Sequence, residues 1–191
     1  MNEPLRTTLF DAVSFLEQER VPYALIGGLA VSLRGQPRVT VDVDMVIDAD
    51  VERAMSLAAD LKDTKFGPLF NDVADVIQKA FILPLRHRTT NVTVDLAIGL
   101  SGFEQKVIAR AEEIQLAGTM VSVATAEDLV ILKVLAGRPQ DDQDLRGLIV
   151  AQGDRLDWNY CVKTAAELGE ALGQDLAGRL DALRAGDDMQ L

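Results

Sequence analysis

The strongest constraint on the fold is residues 39–47, in which apolar and polar side chains alternate. The odd-numbered positions are valine, methionine or isoleucine, whereas Asp42 and Asp44 point the other way. A period of two predicts a β-strand with one buried face and both carboxylates on the opposite face. Residues 91–98 alternate similarly and place Asp95 opposite an apolar face. The chain is therefore expected to build a sheet that carries aspartates on one face.

A glycine pair precedes the first alternating segment. Residues 23–28 are typical of a short buried strand that runs into Gly27 and Gly28, and residues 29–35 predict a short helix. The chain is predicted to begin with an amphipathic helix whose apolar residues are Leu5, Leu9, Ala12, Val13 and Leu16. Further predicted elements are a helix over 51–61, an edge or bulged strand over 79–86 with Pro84, a helix over 103–111 and a strand over 120–124. A helix over 127–137 is opened by a capping box of Thr125 and Asp128 and stopped by Gly137 and Pro139, and helices follow from Asp141 onward, the last with Leu168, Leu172, Leu176, Leu180 and Leu183.

This order predicts the α+β class, with a small mixed sheet flanked by helices and a helical C-terminal part. We expect an α/β core over residues 1–124 and a helical region over 125–191 that packs on the same domain. The length of 191 residues suits one core rather than two.

Composition narrows the functional classes. The net charge of −11 disfavours non-specific DNA binding and favours cationic ligands. No apolar run reaches the roughly 20 residues that a membrane helix needs. The single cysteine, Cys161, is expected to be a buried thiol in a reducing compartment. We therefore expect a cytoplasmic protein without a membrane association.

The two acids on one strand permit two interpretations. Asp42 and Asp44 can be a solvated strand face, or they can hold a hard cation between their carboxylates. The glycine pair upstream favours the cation, because glycine lets the backbone approach a phosphate closely next to a helix N-terminus. Asp95 could complete a two-ion site, although it can equally be a solvated acid.

The segment GGLAVSLRGQPRVTVDVDMVI resembles the signature of the nucleotidyltransferase superfamily, in which a glycine pair is followed by Asp-x-Asp. The segment TAEDLVILKVLAGRPQDDQDL is similar to the second motif of the AbiEii-type, toxin-like group. The resemblance implies a fold over about residues 20–150, Mg²⁺ or Mn²⁺ as cofactor and an NTP as substrate. It assigns catalysis and metal binding to Asp42, Asp44 and Asp95, and nucleotide binding to Gly27, Gly28, Arg38, Thr40, Lys133, Arg138, Asp141 and Asp144.

Other residues stay ambiguous at this level. Lys133, in an apolar stretch, is either a snorkelling or a phosphate-binding side chain. Arg38 is either a phosphate donor or a surface residue. The basic patch of Arg86, His87 and Arg88 is expected to be a solvated hairpin tip rather than a phosphate guide. Leu29 stands where many relatives have serine, and Ser32 could replace that hydroxyl.

Three functions follow as hypotheses. The first is a Mg-dependent transferase that moves a nucleoside monophosphate from an NTP to an acceptor hydroxyl, with a tRNA or a protein as acceptor and a cognate antitoxin as partner. The second keeps this chemistry and takes an aminoglycoside-type antibiotic as acceptor. The third is a non-catalytic binding or regulatory module on the same fold.

Overall fold

The computed structural model describes residues 1–188 and shows one mixed sheet accompanied by helices. The strands are β1 Tyr23–Leu25, β2 Asp42–Ile47, β3 Phe66–Pro68, β4 Ile82–His87, β5 Thr93–Ile98, β6 Glu112–Leu116 and β7 Thr119–Val123. The α-helices are α1 Glu3–Gln18, α2 Gly27–Arg34, α3 Val51–Ala59, α4 Val73–Ala80, α5 Gly102–Arg110, α6 Ala126–Ala136, α7 Pro139–Gln152, α8 Trp158–Leu172 and α9 Leu176–Asp188. The predicted α+β class is confirmed.

The aspartate-bearing strands lie in the middle of the sheet, whose strand order is β3-β4-β5-β2-β1-β7-β6. Strand β2 runs parallel to β5 and antiparallel to β1. The apolar face of β2 is fully buried, as the alternation predicts, with Val43, Met45 and Ile47 all at 0% exposure. The alternation therefore fixes which face of the central strands is free for chemistry.

Contacts divide the chain into two units. The first comprises residues 1–29 and 39–124 and contains the whole sheet with α1, α3, α4 and α5. The second comprises residues 30–38 and the chain from Thr125 onward, with α6 to α9. The packing of 125–191 on one common domain stays a prediction, and residues 189–191 lie outside the described part of the chain.

Helix α1 confirms the amphipathic pattern at the start of the sequence. Asn2 caps the helix by accepting a hydrogen bond from the backbone N–H of Leu5 at 3.0 Å. All five predicted core residues of this helix are buried: Leu5, Leu9, Ala12, Val13 and Leu16. A β-sheet with an apolar face must bury that face against another element, and the apolar side of an amphipathic helix such as α1 can do so.

The prediction that Pro84 marks an edge strand or a bulge is wrong. Strand β4 is paired on both sides, because the short strand β3 forms the edge and β5 is the other neighbour. The carbonyl of Pro84 accepts a hydrogen bond from the N–H of Leu69 at 3.0 Å, just beyond the end of β3. The missing N–H of the proline thus faces the side of Leu69, beyond the last residue of the three-residue strand β3, where it interrupts almost no pairing.

The C-terminal unit departs from the predicted single leucine-rich helix. Gly173, at φ +65°, ends α8 in the left-handed conformation, so α8 and α9 are separate helices. Of the predicted stripe, Leu176 and Leu180 are buried, whereas Leu172 is half exposed. Cys161 is a buried thiol, as expected. Among the helices of residues 1–188, none is long and apolar enough to cross a membrane.

Candidate active site

Three carboxylates share one face of the central sheet. Asp42 and Asp44 alternate with buried residues along β2, and the parallel register places Asp44 directly beside Asp95 of β5. Side chains at paired positions of neighbouring strands point to the same side of a sheet. The sequence alone could not show that the two acidic strands are neighbours, and the register places all three acids on the same face of the sheet.

Electrostatic repulsion between acids of this face affects the pKa of Asp95. Partial burial raises the pKa of Asp95 above its ordinary value, and the negative charge of Asp42 raises it further. The carboxylate of Asp42 in turn accepts a hydrogen bond at Oδ1 from the hydroxyl of Thr40, with 2.8 Å between the oxygens. The face is thus a concentration of like charge, which favours a bound cation.

The glycine turn lies against this acidic face. Gly27 has a φ of +63°, which is strained for other residues, and a Cβ atom there would overlap the carboxylate of Asp44. The N–H of Ile26 donates to the carbonyl of Asp44 at 2.9 Å. Gly27 and Gly28 form the first turn of α2, rather than a separate loop between strand and helix. Glycine at position 27 is therefore required for the close approach of Asp44.

The donor chemistry of the acidic face suits a hard divalent cation. Carboxylate oxygens are the ligands that Mg²⁺ prefers, and two adjacent carboxylates suffice when water or substrate oxygens complete the shell. Within residues 1–188, no group of three or more His, Cys, Asp or Glu side chains converges on a single metal position. The carboxylates therefore fit a divalent cation by the chemistry of their oxygen atoms, and Asp42 and Asp44 are the two that stand next to each other on one face of β2.

A second cluster of predicted residues lies in the C-terminal unit. The ammonium group of Lys133 lies 2.8 Å from Oδ1 of Asp141 and 2.7 Å from Oδ2 of Asp144. All three residues are buried, with Lys133 only 5% exposed. The snorkelling interpretation of Lys133 is therefore wrong, because its charge is held inside the unit by two carboxylates. The phosphate-binding interpretation stays a prediction.

Two arginines complete this cluster. Arg138 donates through Nε to Asp141 at 2.7 Å, and Arg38 approaches Asp144 through Nε at 2.8 Å. Burial alone would raise the pKa of Asp141, but hydrogen bonds from Arg138 and Lys133 hold this pKa well below its ordinary range. The cluster thus matches its aspartates with cations from its own unit. We refer to these five residues as the lysine cluster.

Ser32 does not point into open space. Its hydroxyl contacts the backbone of Arg38, with 3.3 Å to the nitrogen and 3.4 Å to the carbonyl oxygen. These bonds close the segment between α2 and the acidic strand. The suggestion that this hydroxyl replaces the serine of other nucleotidyltransferases stays a prediction.

The basic patch contains a buried network that the sequence-based interpretation missed. His87 is 1% exposed, so it is not part of a solvated hairpin tip, although Arg86 and Arg88 are exposed. Its Nε2 lies 2.9 Å from a carboxylate oxygen of Asp11, and its Nδ1 accepts the N–H of Thr90 at 3.1 Å. The alternation that buries the leucines of β4 continues to position 87, and that period could have placed the ring inside.

Comparisons with solved structures show what the fold resembles. An antigenic nucleotidyltransferase-like protein from Paracoccidioides brasiliensis has 23% identity and a TM-score of 0.51, over 76% of this chain and 74% of that one. The enzyme ANT(2″)-Ia, solved with adenylyl-2″-tobramycin, has 14% identity and a TM-score of 0.53, over 96% of this chain and 97% of that one. The lincosamide antibiotic adenylyltransferase LnuA, solved with lincomycin, has 18% identity and a TM-score of 0.54, over 77% of this chain and 98% of that one.

At these identities the likeness establishes the fold. No curated protein sequence matches the chain. The family evidence comes instead from a family model described as "Nucleotidyltransferase of unknown function (DUF6036)", which matches residues 7–177. Since this match covers most of the chain and the acidic face lies within it, the protein belongs to this nucleotidyltransferase family.

Proposed function

We propose that the protein transfers a nucleoside monophosphate from an NTP to an acceptor hydroxyl and releases pyrophosphate. The observation that carries this proposal is the register that places Asp95 beside Asp44, on the face that also carries Asp42 and adjoins the glycine turn. In the reaction the acceptor oxygen forms a bond to the α-phosphorus, and the bond from that phosphorus to the pyrophosphate oxygen breaks.

The residues of the acidic face divide this work. Asp42, Asp44 and Asp95 would hold Mg²⁺ or Mn²⁺, which when bound neutralises phosphate charge and lowers the pKa of the acceptor hydroxyl. A carboxylate oxygen of Asp95 would receive the proton of that hydroxyl as a general base. The backbone at Gly27 and Gly28 would approach the phosphates, since neither residue has a side chain of its own and both lie at the start of α2.

The lysine cluster is assigned to nucleotide binding only through the family resemblance. Its cations already contact carboxylates at 2.7–2.8 Å, so a phosphate would have to share Arg38, Lys133 or Arg138 with Asp141 and Asp144. We therefore propose that the three cations of the cluster, which the two carboxylates neutralise only in part, contribute positive charge to nucleotide binding. Arg138 is the most exposed of the three cations, with a side chain that is 71% exposed.

For the acceptor we retain the AbiEii-type proposal of a tRNA or a protein hydroxyl, with a cognate antitoxin as partner. A second candidate is an antibiotic of the aminoglycoside type. The net charge of −11 favours it, because an acidic protein attracts a polycation and repels RNA. The likeness in fold to ANT(2″)-Ia, solved with an adenylylated tobramycin, is compatible with this candidate.

A labelled-transfer screen tests the proposal. Each α-³²P-labelled NTP is incubated with Mg²⁺ or Mn²⁺ and with bulk tRNA, a protein extract or an aminoglycoside panel, using wild type, Asp44→Asn and the exposed control Asp154→Asn. We expect label on one acceptor class with wild type and the control, and none with Asp44→Asn. Label on antibiotic alone would replace the first acceptor by the second. Equal transfer by Asp44→Asn, or no transfer to any acceptor by wild type, would contradict the proposed chemistry.

A further inference from the structure

The side chain of Thr40 forms a hydrogen bond with the acidic face. Its hydroxyl donates to Oδ1 of Asp42 at 2.8 Å, two residues further along the chain. Thr40 precedes β2, and its neighbours Val39 and Val41 are 88% and 73% exposed, so neither valine side chain is packed in the core. Core packing of the neighbouring valines therefore does not explain the threonine at position 40.

The hydrogen bond restricts the carboxylate. The terminal torsion of an aspartate is broad and nearly two-fold, so an unrestrained carboxylate presents either oxygen in many orientations. A donor at Oδ1 limits this rotation and leaves Oδ2 for another ligand. The hydroxyl proton of Thr40, once donated to Asp42, cannot be donated to a phosphate at the same time.

Charge on the acidic face makes such a restraint useful. The negative charge of Asp42 acts on Asp95 of the neighbouring strand, so the two carboxylates repel each other in the absence of a cation. A carboxylate that is free to turn would move away from this repulsion and would have to return when a cation binds. A fixed donor removes that reorganisation.

We propose that Thr40 is a positioning residue, which orients the carboxylate of Asp42 for a divalent cation and does not itself bind the nucleotide. This inference rests on the proposed function, since it requires that Asp42 binds a metal ion. It assigns Thr40 a different role from the nucleotide contact that the family resemblance implies.

Three variants test the role of the hydroxyl. Thr40→Val keeps the branched shape and removes the hydroxyl, Thr40→Ser keeps the hydroxyl, and Thr119→Val removes a partly exposed threonine hydroxyl from β7 as a matched control. Mn²⁺ is titrated calorimetrically into each protein without nucleotide. We expect affinity about tenfold weaker for Thr40→Val, within about twofold of wild type for Thr40→Ser, and unchanged for Thr119→Val. Thermal melting without metal is measured for all of them and should agree within a few degrees.

Nucleotide affinity in EDTA separates positioning from direct binding. We expect Thr40→Val to bind each NTP without metal as wild type does. An equal loss of NTP affinity in EDTA would make Thr40 a nucleotide ligand and overturn the inference. So would unchanged Mn²⁺ affinity in Thr40→Val, or an equal loss in Thr40→Ser, and in these cases the proposed function stands. If wild type binds neither Mn²⁺ nor any NTP, the proposed function fails and the inference fails with it.

Discussion

The two aspartate-rich regions of this protein differ in what surrounds their charge. In the lysine cluster, Asp141 has a lowered pKa because hydrogen bonds from Arg138 and Lys133 outweigh its burial. On the acidic face, Asp95 has a raised pKa because it is partly buried and the charge acting on it is that of Asp42. We infer that the lysine cluster, which contains its own cations, stabilises the fold, and we propose that the acidic face takes its cation from solution.

The largest expected effect separates the two regions by stability. Lys133→Met removes the buried cation between Asp141 and Asp144, and the stranded carboxylates should cost about 3–5 kcal/mol of unfolding free energy. The control Lys163→Met removes a side chain that is 77% exposed and 3.9 Å from Glu167, and should cost at most about 0.5 kcal/mol. Urea unfolding measures both, and equal losses would show that the lysine cluster does not hold the fold together.

A smaller effect distinguishes the glycine turn from an ordinary helix end. Gly27 and Gly173 have nearly the same φ, +63° and +65°, but a Cβ atom overlaps Asp44 at the first and meets nothing within 4 Å at the second. Alanine at Gly173 should cost about 1 kcal/mol of unfolding free energy through backbone strain, and alanine at Gly27 about two to three times as much. Equal losses of unfolding free energy for the two alanine variants would mean that a Cβ atom at position 27 does not clash with Asp44.

The smallest effect is a pH dependence of opposite sign in the two regions. Asp141 stabilises the fold above its unfolded pKa of about 4, so the destabilisation by Asp141→Asn should shrink as the pH falls below 4. The raised pKa of Asp95 makes ionisation cost stability as the pH rises above about 4, so Asp95→Asn should stabilise more at pH 7 than at pH 3. Urea midpoints in metal-free buffer between those pH values measure both, and a common sign would remove the contrast.

The elements that define the acidic face could be predicted because each carries a strong local pattern. Alternation identified β2 and β5, and Thr125 and Gly137 correctly bounded α6. The elements β3, α4 and β6 escaped prediction, since β3 has only three residues, with glycine and proline, α4 has eight residues and buries only Ile77, and β6 is largely exposed. A pattern of burial cannot be read where little is buried.

Pairing and partners could not be predicted for a different reason. Nothing in either alternating segment states that β2 and β5 are parallel neighbours, because register depends on the connections through the rest of the sheet. The partners of Lys133, eight and eleven residues further along the chain, meet it only because the chain turns between α6 and α7. Apolar neighbours made that lysine look like a snorkelling side chain, whereas the deciding charges lay on the next helix.

The most direct test of the central claim is a calorimetric titration of each Mg-NTP into wild type and into a variant with both Asp42→Asn and Asp44→Asn. Each asparagine keeps the size of its aspartate and removes the charge that would hold the cation. The account predicts that wild type binds at least one nucleotide and that the folded double variant binds it at least about tenfold more weakly. Equal binding by the two proteins, or no binding by wild type, would contradict it.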